Sequence, residues 1–369
     1  MDARLIVENP LAALLESRGA VMAPISNVGG QKHTQTALSF GDEAGELEAL
    51  TGGVGLLDLT ARGLLVVEGA DRASWLHGLC TQDIKKMPSG GGGYACHIDI
   101  KGRIVADMRV GVFEEMILLD VEPGMAASLR RLLKRFVVME RVTVADRSAQ
   151  VGTLGLAGPG AAATLGRALG EELSAMAPHG VRPGAVGDLD VLVSATDQLG
   201  GPGFRISTAR ESVGELFEAL ERAGARPCGW EAMERSRIRA GVPRFGAELG
   251  PEVLFNEAGL DTAVSFTKGC YLGQEIVERV DARGKVGRRL MGLVIEGSGV
   301  PAPGGVIANG ERALGEVTSS ARVGARVLAM GYIHRADNAP GSRLVVRPPE
   351  GQEGEVFEAV IVERGALAG

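Results

Sequence analysis

The stretch KGCYLGQE, residues 268–275, places Cys270 between two glycines. The glycines let the backbone turn tightly and come close to a ligand. Because the apolar-periodic run EIVERV follows, the pattern predicts a helix that begins at Gln274. Its positive N-terminal end and Lys268 would both favour a thiolate over a thiol. A free cysteine packed inside a loop would explain the same residues. The sequence alone leaves both interpretations of Cys270 open, a functional thiolate and a packed thiol.

Arginines are concentrated in two segments around this stretch. The run ERVDARGKVGRR, residues 278–289, carries Arg279, Arg283 and Arg288. The run ERSRIRAGVPRFGAELG, residues 234–250, carries four more arginines. Guanidinium groups suit carboxylates, so either segment could hold an anionic ligand, whereas a solvated helix face is the alternative interpretation.

An acid interrupts an apolar strand pattern in KGRIVADMRV, residues 101–110. Asp107 would cost desolvation energy at a buried position unless a partner compensates it. Alternation with Val105 and Arg109 on one outward face is the simpler interpretation, and it requires no ligand.

Other catalytic chemistries have little support. The four cysteines form no CxxC pair, the five histidines have no partner at i+4, and no G-x-S-x-G occurs. GPGAAATLG, residues 158–166, follows a strand pattern and partly matches a dinucleotide-binding fingerprint. Helix packing is the better explanation, because Pro159 also suits a helix start and no clear parallel βαβ pattern flanks the segment. A nicotinamide oxidoreductase is therefore carried only as a minor alternative.

Strand and helix patterns alternate before these residues, in two rounds. The first round predicts a strand at 62–69, a helix after it, a glycine loop at 90–93, strands through 94–121 and an amphipathic helix at 124–139. The second predicts a strand at 151–158, further strands, and a helix at 211–224. Two α+β subdomains follow from this arrangement.

Short strand patterns separated by Gly, Pro and Asn replace the helical periods after about residue 289. They predict a small antiparallel barrel or sandwich. We therefore divide the chain into residues 1–285 and 286–369.

Composition excludes several classes of function. The chain has 369 residues, a net charge of −7 and 4% aromatics, so we expect no nucleic-acid binding. Scattered cysteines indicate a reducing compartment, and no run reaches the roughly 18 apolar residues of a membrane span. A cytoplasmic protein without membrane contact is the expectation.

The signature and its surroundings resemble a known family. KGCYLGQE matches the K-G-C-Y-x-G-Q-E signature of the YgfZ proteins, which are relatives of the folate-binding T-protein of the glycine cleavage system. The upstream run RIRAGVPRFGAEL and the downstream run VERVDARGKVGRRL fit the same family. LLDLTARGLLVVEGADRASWLHGLCTQDI resembles the opening of the T-protein fold.

The resemblance implies a fold, a cofactor and partners. The fold is α+β, with two folate-binding subdomains and a C-terminal antiparallel β-barrel around a central cavity. The cofactor is tetrahydrofolate or a one-carbon derivative, and the partners are iron–sulfur scaffold or client proteins. The residues implied for catalysis and cofactor binding are Cys270, Asp107, Lys268, Gly269, Tyr271, Gly273, Gln274, Glu275, Arg279, Arg283 and Arg288.

Departures from the T-protein bear on the reaction. Its Gly-Glu-Asp-Gly turn, whose glutamate holds the pterin, is matched by LGGPGFRI, residues 199–206, with Gly201 and Pro202 in place of the acids. Its Asp-Asp pair is matched by Ala106 and Asp107, so one carboxylate survives. We therefore expect folate binding without aminomethyl transfer. A folate-dependent aminomethyltransferase or demethylase is one alternative, and a binding module with a structural cysteine is another.

Overall fold

The structure is a computed structural model that describes residues 6–26, 33–173, 175–197, 201–283 and 286–369. The chain forms two compact units. The first unit contains residues 1–97, 106–233 and 262–272, and the second contains residues 98–105, 234–261 and 273–369.

The first unit combines three sheets with short helices. Its strands are β1 (Ile6–Val7), β2 (Val21–Ser26), β3 (His33–Ser39), β4 (Gly55–Asp58), β5 (Gly63–Glu68), β6 (Gly92–Ile98), β7 (Ile104–Val112), β8 (Met116–Val121), β9 (Thr143–Asp146), β10 (Val151–Ala157), β11 (Val181–Val186), β12 (Leu189–Thr196), β13 (Gly203–Ala209) and β14 (Arg226–Cys228). Its helices are α1 (Ala12–Ser17), α2 (Glu43–Gly52), α3 (Arg72–His77), α4 (Ala126–Lys134), α5 (Ala161–Leu169) and α6 (Val213–Arg222). The outer end of the β6–β7 hairpin, residues 98–105, is grouped with the second unit.

A six-stranded sheet, ordered β11-β12-β13-β10-β4-β14, supports the larger apolar core. Leu15 of α1, Leu165 of α5 and Phe217 of α6 are buried against it. The burial of these helix faces stabilises the subdomain, since each fully buried large apolar side chain contributes roughly 1.5–3 kcal/mol. A three-stranded sheet, β1-β3-β2, is separate from it.

A five-stranded sheet, ordered β6-β7-β8-β5-β9, carries Asp107 on β7. Strands β7 and β8 are antiparallel, and Arg109 lies opposite Asp120 in their register. Helix α4 packs beside β5, and its Leu129 and Leu133 are buried.

The second unit is built around a closed barrel. Helix α7 (Trp230–Arg239) begins in the first unit and ends in the second, and α8 (Gln274–Arg283) precedes the barrel strands. Those strands are β15 (Arg288–Ile295), β16 (Val306–Asn309), β17 (Arg312–Val323), β18 (Arg326–His334), β19 (Arg343–Arg347) and β20 (Phe357–Val362). They pair antiparallel in the closed order β15-β18-β17-β16-β19-β20. Short 3-10 helices lie at Ile84–Lys86, Arg210–Ser212, Phe255–Glu257, Asp261–Ala263, Arg335–Asp337 and Arg364–Ala368.

The predicted fold class is confirmed. The barrel is antiparallel and closed, and mixed α+β structure precedes it. Helix α8 begins at Gln274, as the signature pattern predicted. In the residues described, no helix is long and apolar enough to cross a membrane.

Two predicted helices are shorter than expected. The helix after Gly69 ends at His77, because the carbonyls of His77, Cys80 and Gln82 accept hydrogen bonds from a lysine instead of from helical amides. The helix predicted at 124–139 spans only Ala126–Lys134, and the residues after it are partly or fully exposed.

The prediction of a loop at residues 90–93 was wrong for the last two residues. Gly92 and Gly93 begin β6. A Cβ on Gly92 would overlap the carbonyl oxygens of His179 and Val110, so this glycine serves a close backbone approach.

Candidate functional site

Cys270 is the exposed thiol of this protein. Cys80, Cys96 and Cys228 are buried, whereas Cys270 is open to solvent. Burial raises the pKa of Cys80 to about 11 and that of Cys228 to about 12, so these thiols are held protonated. The interpretation of Cys270 as a packed loop cysteine does not agree with this exposure.

A network of hydrogen bonds fixes the segment that presents Cys270. We call residues 262–272 the thiol loop and residues 77–83 the receiving loop. The amide of Ser265 donates to the Thr81 carbonyl at 3.0 Å, and the amide of Leu272 donates to the Gly78 carbonyl at 3.1 Å. The Thr81 hydroxyl donates to the Ala263 carbonyl. The exposed thiol therefore stands on a loop that is tied at both ends.

Lys268 supplies the strongest of these ties. Its Nζ donates to the carbonyls of His77 at 2.5 Å, Cys80 at 2.5 Å and Gln82 at 3.0 Å. Burial lowers the pKa of Lys268 below its ordinary value. An ammonium group has three donors, and all three are used here. A role in holding a cofactor would require Lys268 to leave these carbonyls, so the structure places it as a loop anchor.

The other signature residues differ in exposure. Tyr271 is buried, and its ring centroid lies 4.7 Å from the Lys268 ammonium, while Gly269 is exposed. Gly273 has a φ of +80°, a conformation that favours glycine, and it belongs to the second unit. Gln274 donates to Glu278 at 2.5 Å, and Glu275 is exposed.

The predicted arginines all lie in the second unit. Arg279 is half exposed and lies 3.9 Å from Glu275. Arg288 donates to Glu257 at 3.1 Å and to the Glu252 carbonyl at 3.0 Å. The side chain of Arg283 lies outside the described residues. Binding of a folate tail by these arginines stays a prediction.

The 234–250 arginine segment holds the fold of the second unit. Arg237 is buried, and its guanidinium donates to Glu234, Glu248 and Ser319 at 2.7–3.0 Å. Arg244 also pairs with Glu234 at 3.1 Å. These contacts give the two guanidinium groups structural partners.

Asp107 is buried, so the outward-facing interpretation of this position is excluded. Its Oδ2 accepts from the Tyr94 hydroxyl at 2.9 Å and from Arg109 Nη1 at 3.0 Å. Arg109 also lies over the Tyr94 ring, 4.6 Å from its centroid. Burial raises the pKa of Asp107 above its ordinary value, while Arg109 and Tyr94 act in the opposite direction.

Further buried charges surround this carboxylate. Arg62 contacts Asp120 at 2.6 Å and Glu122 at 2.5 Å, and Arg205 contacts Asp120 at 3.0 Å. Burial and the neighbouring Arg62 lower the pKa of Arg205 to about 9. Opposite charges thus compensate one another in a region shielded from water.

A small cavity lined by polar and apolar side chains lies beside these charges within the first unit. Its volume is about 40 Å³, and its polar lining is Arg109, Asp120, His179, Ser194, Arg205 and Ser207. Nε of Arg109 and Nδ1 of His179 are buried there without a hydrogen-bond partner among the described residues. The described part of the chain contains no group of three His, Cys, Asp or Glu side chains that could hold a metal ion.

The two catalytic candidates, Cys270 and Asp107, are both among the described residues and are not in direct polar contact. No hydrogen bond or ion pair joins Cys270 to Asp107 in the described residues. Sequence reasoning missed Tyr94 and His77, and it treated Arg109 only as part of a solvent face. The alternation of β7 gave the one available signal for Arg109, because Asp107 and Arg109 lie two residues apart on one strand face.

The weaker motifs have structural explanations or remain partly undescribed. GPGAAATLG joins β10 to α5, and a Cβ on Gly158 would crowd the carbonyls of Gly53 and Ala49. Close packing therefore accounts for this glycine. Residues 199 and 200 of the LGGPGFRI segment lie outside the described residues, and Gly203 begins β13.

Comparisons with known proteins agree with this architecture. A family model described as the GCVT N-terminal domain matches residues 13–268, and its match ends two residues before Cys270. An aminomethyltransferase of Streptomyces avermitilis is 30% identical over 344 residues, which cover 90% of this chain and 90% of the relative. An aminomethyltransferase of Streptomyces coelicolor is 31% identical over 319 residues, which cover 83% and 85%.

A solved structure has the same fold. The glycine cleavage system aminomethyltransferase T from Bartonella henselae superimposes with a TM-score of 0.85, at 21% identity, over 98% of each chain. The extent of the family match and the identity to the Streptomyces proteins lead to one conclusion: this chain belongs to the GCVT N-terminal domain family.

Proposed function

We propose that this protein binds tetrahydrofolate and acts in the assembly or repair of iron–sulfur clusters through Cys270. The observation that carries the proposal is the exposed thiol of the KGCYLGQE signature on a firmly tied loop. Solvent exposure gives a partner protein access to the sulfur. The ties of the loop keep the sulfur in one place, which reduces the entropy lost when a partner binds.

The buried polar groups of the first unit fit the polar edge of a pterin. A pterin edge presents N–H donors and ring-nitrogen acceptors. On the cavity lining, Asp120 is an acceptor and the unpartnered Nε of Arg109 is a donor. Asp107 is not part of this lining but is bonded to Arg109. A cavity of about 40 Å³ admits only such an edge rather than the whole ring system. When bound, tetrahydrofolate would carry one-carbon units.

The raised pKa of Asp107 suits a carboxyl group that exchanges a proton with a ring nitrogen. Tyr94 and Arg109 hold Oδ2, so Oδ1 is the oxygen left for a ligand. In this proposal Asp107 orients the ring and Arg109 fixes the carboxylate.

The number of accessible thiols limits what Cys270 can do alone. A stable cluster is usually held by four thiolates, and the other three cysteines are buried. Burial also raises the pKa of Cys96 well above its ordinary value. Cys270 would therefore act transiently, with the remaining cluster ligands coming from a scaffold or client protein.

A folate-dependent aminomethyltransferase or demethylase is the second candidate. The similarity to the two Streptomyces aminomethyltransferases and the surviving carboxylate of Asp107 favour it. The missing acids at Gly201 and Pro202 oppose it. Formation of methylenetetrahydrofolate from an amine donor would identify this activity, and its absence at millimolar donor would exclude it.

Complementation tests the first candidate. A host that lacks its own YgfZ protein would receive wild type, Cys270→Ser or Thr267→Ala, and the activity of an iron–sulfur enzyme would be measured under oxidative stress. Thr267 is an exposed neighbour on the same loop and serves as the control. We expect wild type and Thr267→Ala to restore activity and Cys270→Ser to fail at equal protein level. Full activity of Cys270→Ser would remove the thiol from the mechanism.

Calorimetry tests the folate site separately. We expect Asp107→Asn to weaken tetrahydrofolate binding about tenfold or more, because it replaces a charged acceptor by an amide. Unchanged affinity in this variant would place the pterin elsewhere.

A further inference from the structure

A buried histidine faces the thiol loop beside Cys270. His77 ends α3, and less than a tenth of the residue is exposed. Its Nε2 lies 3.7 Å from the point where a Cβ on Gly269 would sit. No hydrogen-bond partner of Nε2 is found among the described residues. The glycine next to the thiol thus leaves this nitrogen open.

Asp83 faces the other nitrogen of the ring. Nδ1 of His77 lies at an ion-pair distance of 3.2 Å from Oδ1 of Asp83, and neither buried atom makes a hydrogen bond to any described residue. Burial tends to raise the pKa of Asp83, but Lys86 and His77 outweigh it and lower the pKa, so the group is a carboxylate. A carboxylate presents only lone pairs, which repel a nitrogen lone pair that faces them, so the ring proton is assigned to Nδ1 and the lone pair to Nε2.

The surrounding charges keep the imidazole neutral. Burial and then Lys268 lower the pKa of His77 below its ordinary value, Lys85 acts in the same direction, and Asp83 opposes them. A neutral imidazole whose lone pair points toward a thiol loop is a suitable proton acceptor.

The geometry of the backbone limits the distance that a proton must cross. Standard bond lengths place the Cα of Cys270 within about 9 Å of His77 Nε2. In this structure Cys270 makes no hydrogen bond to any described residue. One bridging water or a rotation of the side chain would join the sulfur to the nitrogen, and such contacts often tighten only when a ligand binds.

We propose that His77, oriented by Asp83, is the proton acceptor for the Cys270 thiol. The S–H bond of Cys270 breaks, its proton joins the lone pair of His77 Nε2, and a thiolate and an imidazolium result. The sulfur keeps the electron pair and can donate it to a metal or an electrophile. Lys268 fixes both loops, so it acts as a positioning residue. The inference concerns the same thiol as the proposed function, but it depends on neither folate nor a client protein.

Alkylation kinetics test this proton transfer directly. The rate of Cys270 modification by iodoacetamide would be measured from pH 5.5 to 9.5 in the full-length protein. We expect His77→Gln to slow the reaction at pH 7 about five- to tenfold, because a smaller fraction of the thiol is ionised. At pH 9.5 wild type and variant should react alike, since the thiol then ionises without assistance.

A second variant guards against misfolding of His77→Gln. Gly269→Ala leaves the histidine in place but covers Nε2 with a methyl group at 3.7 Å, an ordinary contact distance. We expect the same loss at pH 7 and none at pH 9.5, and His334→Gln, an exposed histidine of the barrel, should behave as wild type.

Equal rates at pH 7 in wild type, His77→Gln and Gly269→Ala would overturn the proposal. So would a parallel loss at both pH values, because that pattern reports access to the sulfur rather than proton transfer. If wild type fails in the complementation assay but shows the expected pH dependence of alkylation, the result would count against the proposed function and leave the proton transfer to His77 supported.

Discussion

Replacing Lys268 by methionine should release the thiol loop. Methionine keeps an unbranched stem of similar length, so packing against Tyr271 is largely preserved. The ammonium group is lost, and with it the three hydrogen bonds to the carbonyls of His77, Cys80 and Gln82. The variant therefore removes the tie, together with the positive charge that adds to burial in lowering the pKa of His77.

The size of the effect follows from these contacts. A buried acceptor left without a partner costs roughly 1–3 kcal/mol, so three carbonyls give about 3–9 kcal/mol before relaxation. Water reaches the carbonyls as the loop opens, and the lysine no longer has to be desolvated, so the low end applies. A change of about 3 kcal/mol raises the population of the open loop by roughly 100-fold.

Hydrogen exchange measures this population at defined amides. The amides of Ser265 and Leu272 donate to the receiving loop, so their exchange reports its separation from the thiol loop. We expect exchange in peptides that cover these amides to accelerate roughly 100-fold in Lys268→Met, in line with the opening free energy. Lys134→Met, which changes an exposed lysine of α4 in the same unit, is the control.

Exchange rates within threefold of wild type in Lys268→Met would refute this reasoning. The carbonyl contacts of Lys268 would then be incidental, and the loop would be held by its backbone hydrogen bonds and its other side-chain contacts, such as the Thr81 hydroxyl. General acceleration throughout the first unit would be a different failure, because it would show that Lys268 supports the whole fold rather than one loop.

Three further predictions concern stability. The pKa of Asp107 is raised in the folded state, so the contribution of this carboxyl group to stability is lost as pH rises from about 4 towards that pKa. In urea unfolding from pH 4.5 to 7, the free energy of unfolding of wild type should therefore fall relative to that of Asp107→Asn, and parallel curves would contradict the raised pKa. Glu46 is buried and accepts hydrogen bonds from two backbone amides at 2.7 and 2.8 Å. Glu46→Ala should therefore lower the free energy of unfolding, measured by thermal unfolding, by about 2–4 kcal/mol, and a loss below about 1 kcal/mol would contradict this. In the barrel, a Cβ on Gly315 would overlap the Tyr332 carbonyl, so Gly315→Ala should lower the melting temperature by several degrees, whereas Gly365→Ala, which meets open space, should not.

The periodic parts of the fold were predictable from the sequence. Short strand runs separated by turn residues predicted a small antiparallel barrel or sandwich. The strand at Gly63–Glu68 and the helix at Val213–Arg222 were visible as apolar patterns. Closure of the barrel was not predictable from these local patterns, because the pairing of β15 with β20 joins residues far apart in the chain.

Tertiary contacts decided what the local patterns could not. The pattern after Gly69 continues in helical spacing, but a lysine nearly 190 residues later binds the carbonyls that would have extended the helix. Asp107 was placed on the correct strand and given the wrong environment, since Tyr94 and Arg109 become its partners only in the folded sheet. The ring of His77 was likewise not predictable as a partner of Asp83.

Burial of three of the four cysteines also limits how oxidation can assemble this protein. Each folded molecule exposes a single thiol, so one disulfide between two Cys270 residues can join two copies, and neither copy then has a second exposed thiol. The folded chain therefore cannot form disulfide-linked polymers, and any mixed disulfide with a partner protein contains one copy of this chain for each partner thiol. Appearance of longer disulfide-linked ladders on a non-reducing gel would therefore report unfolding rather than function.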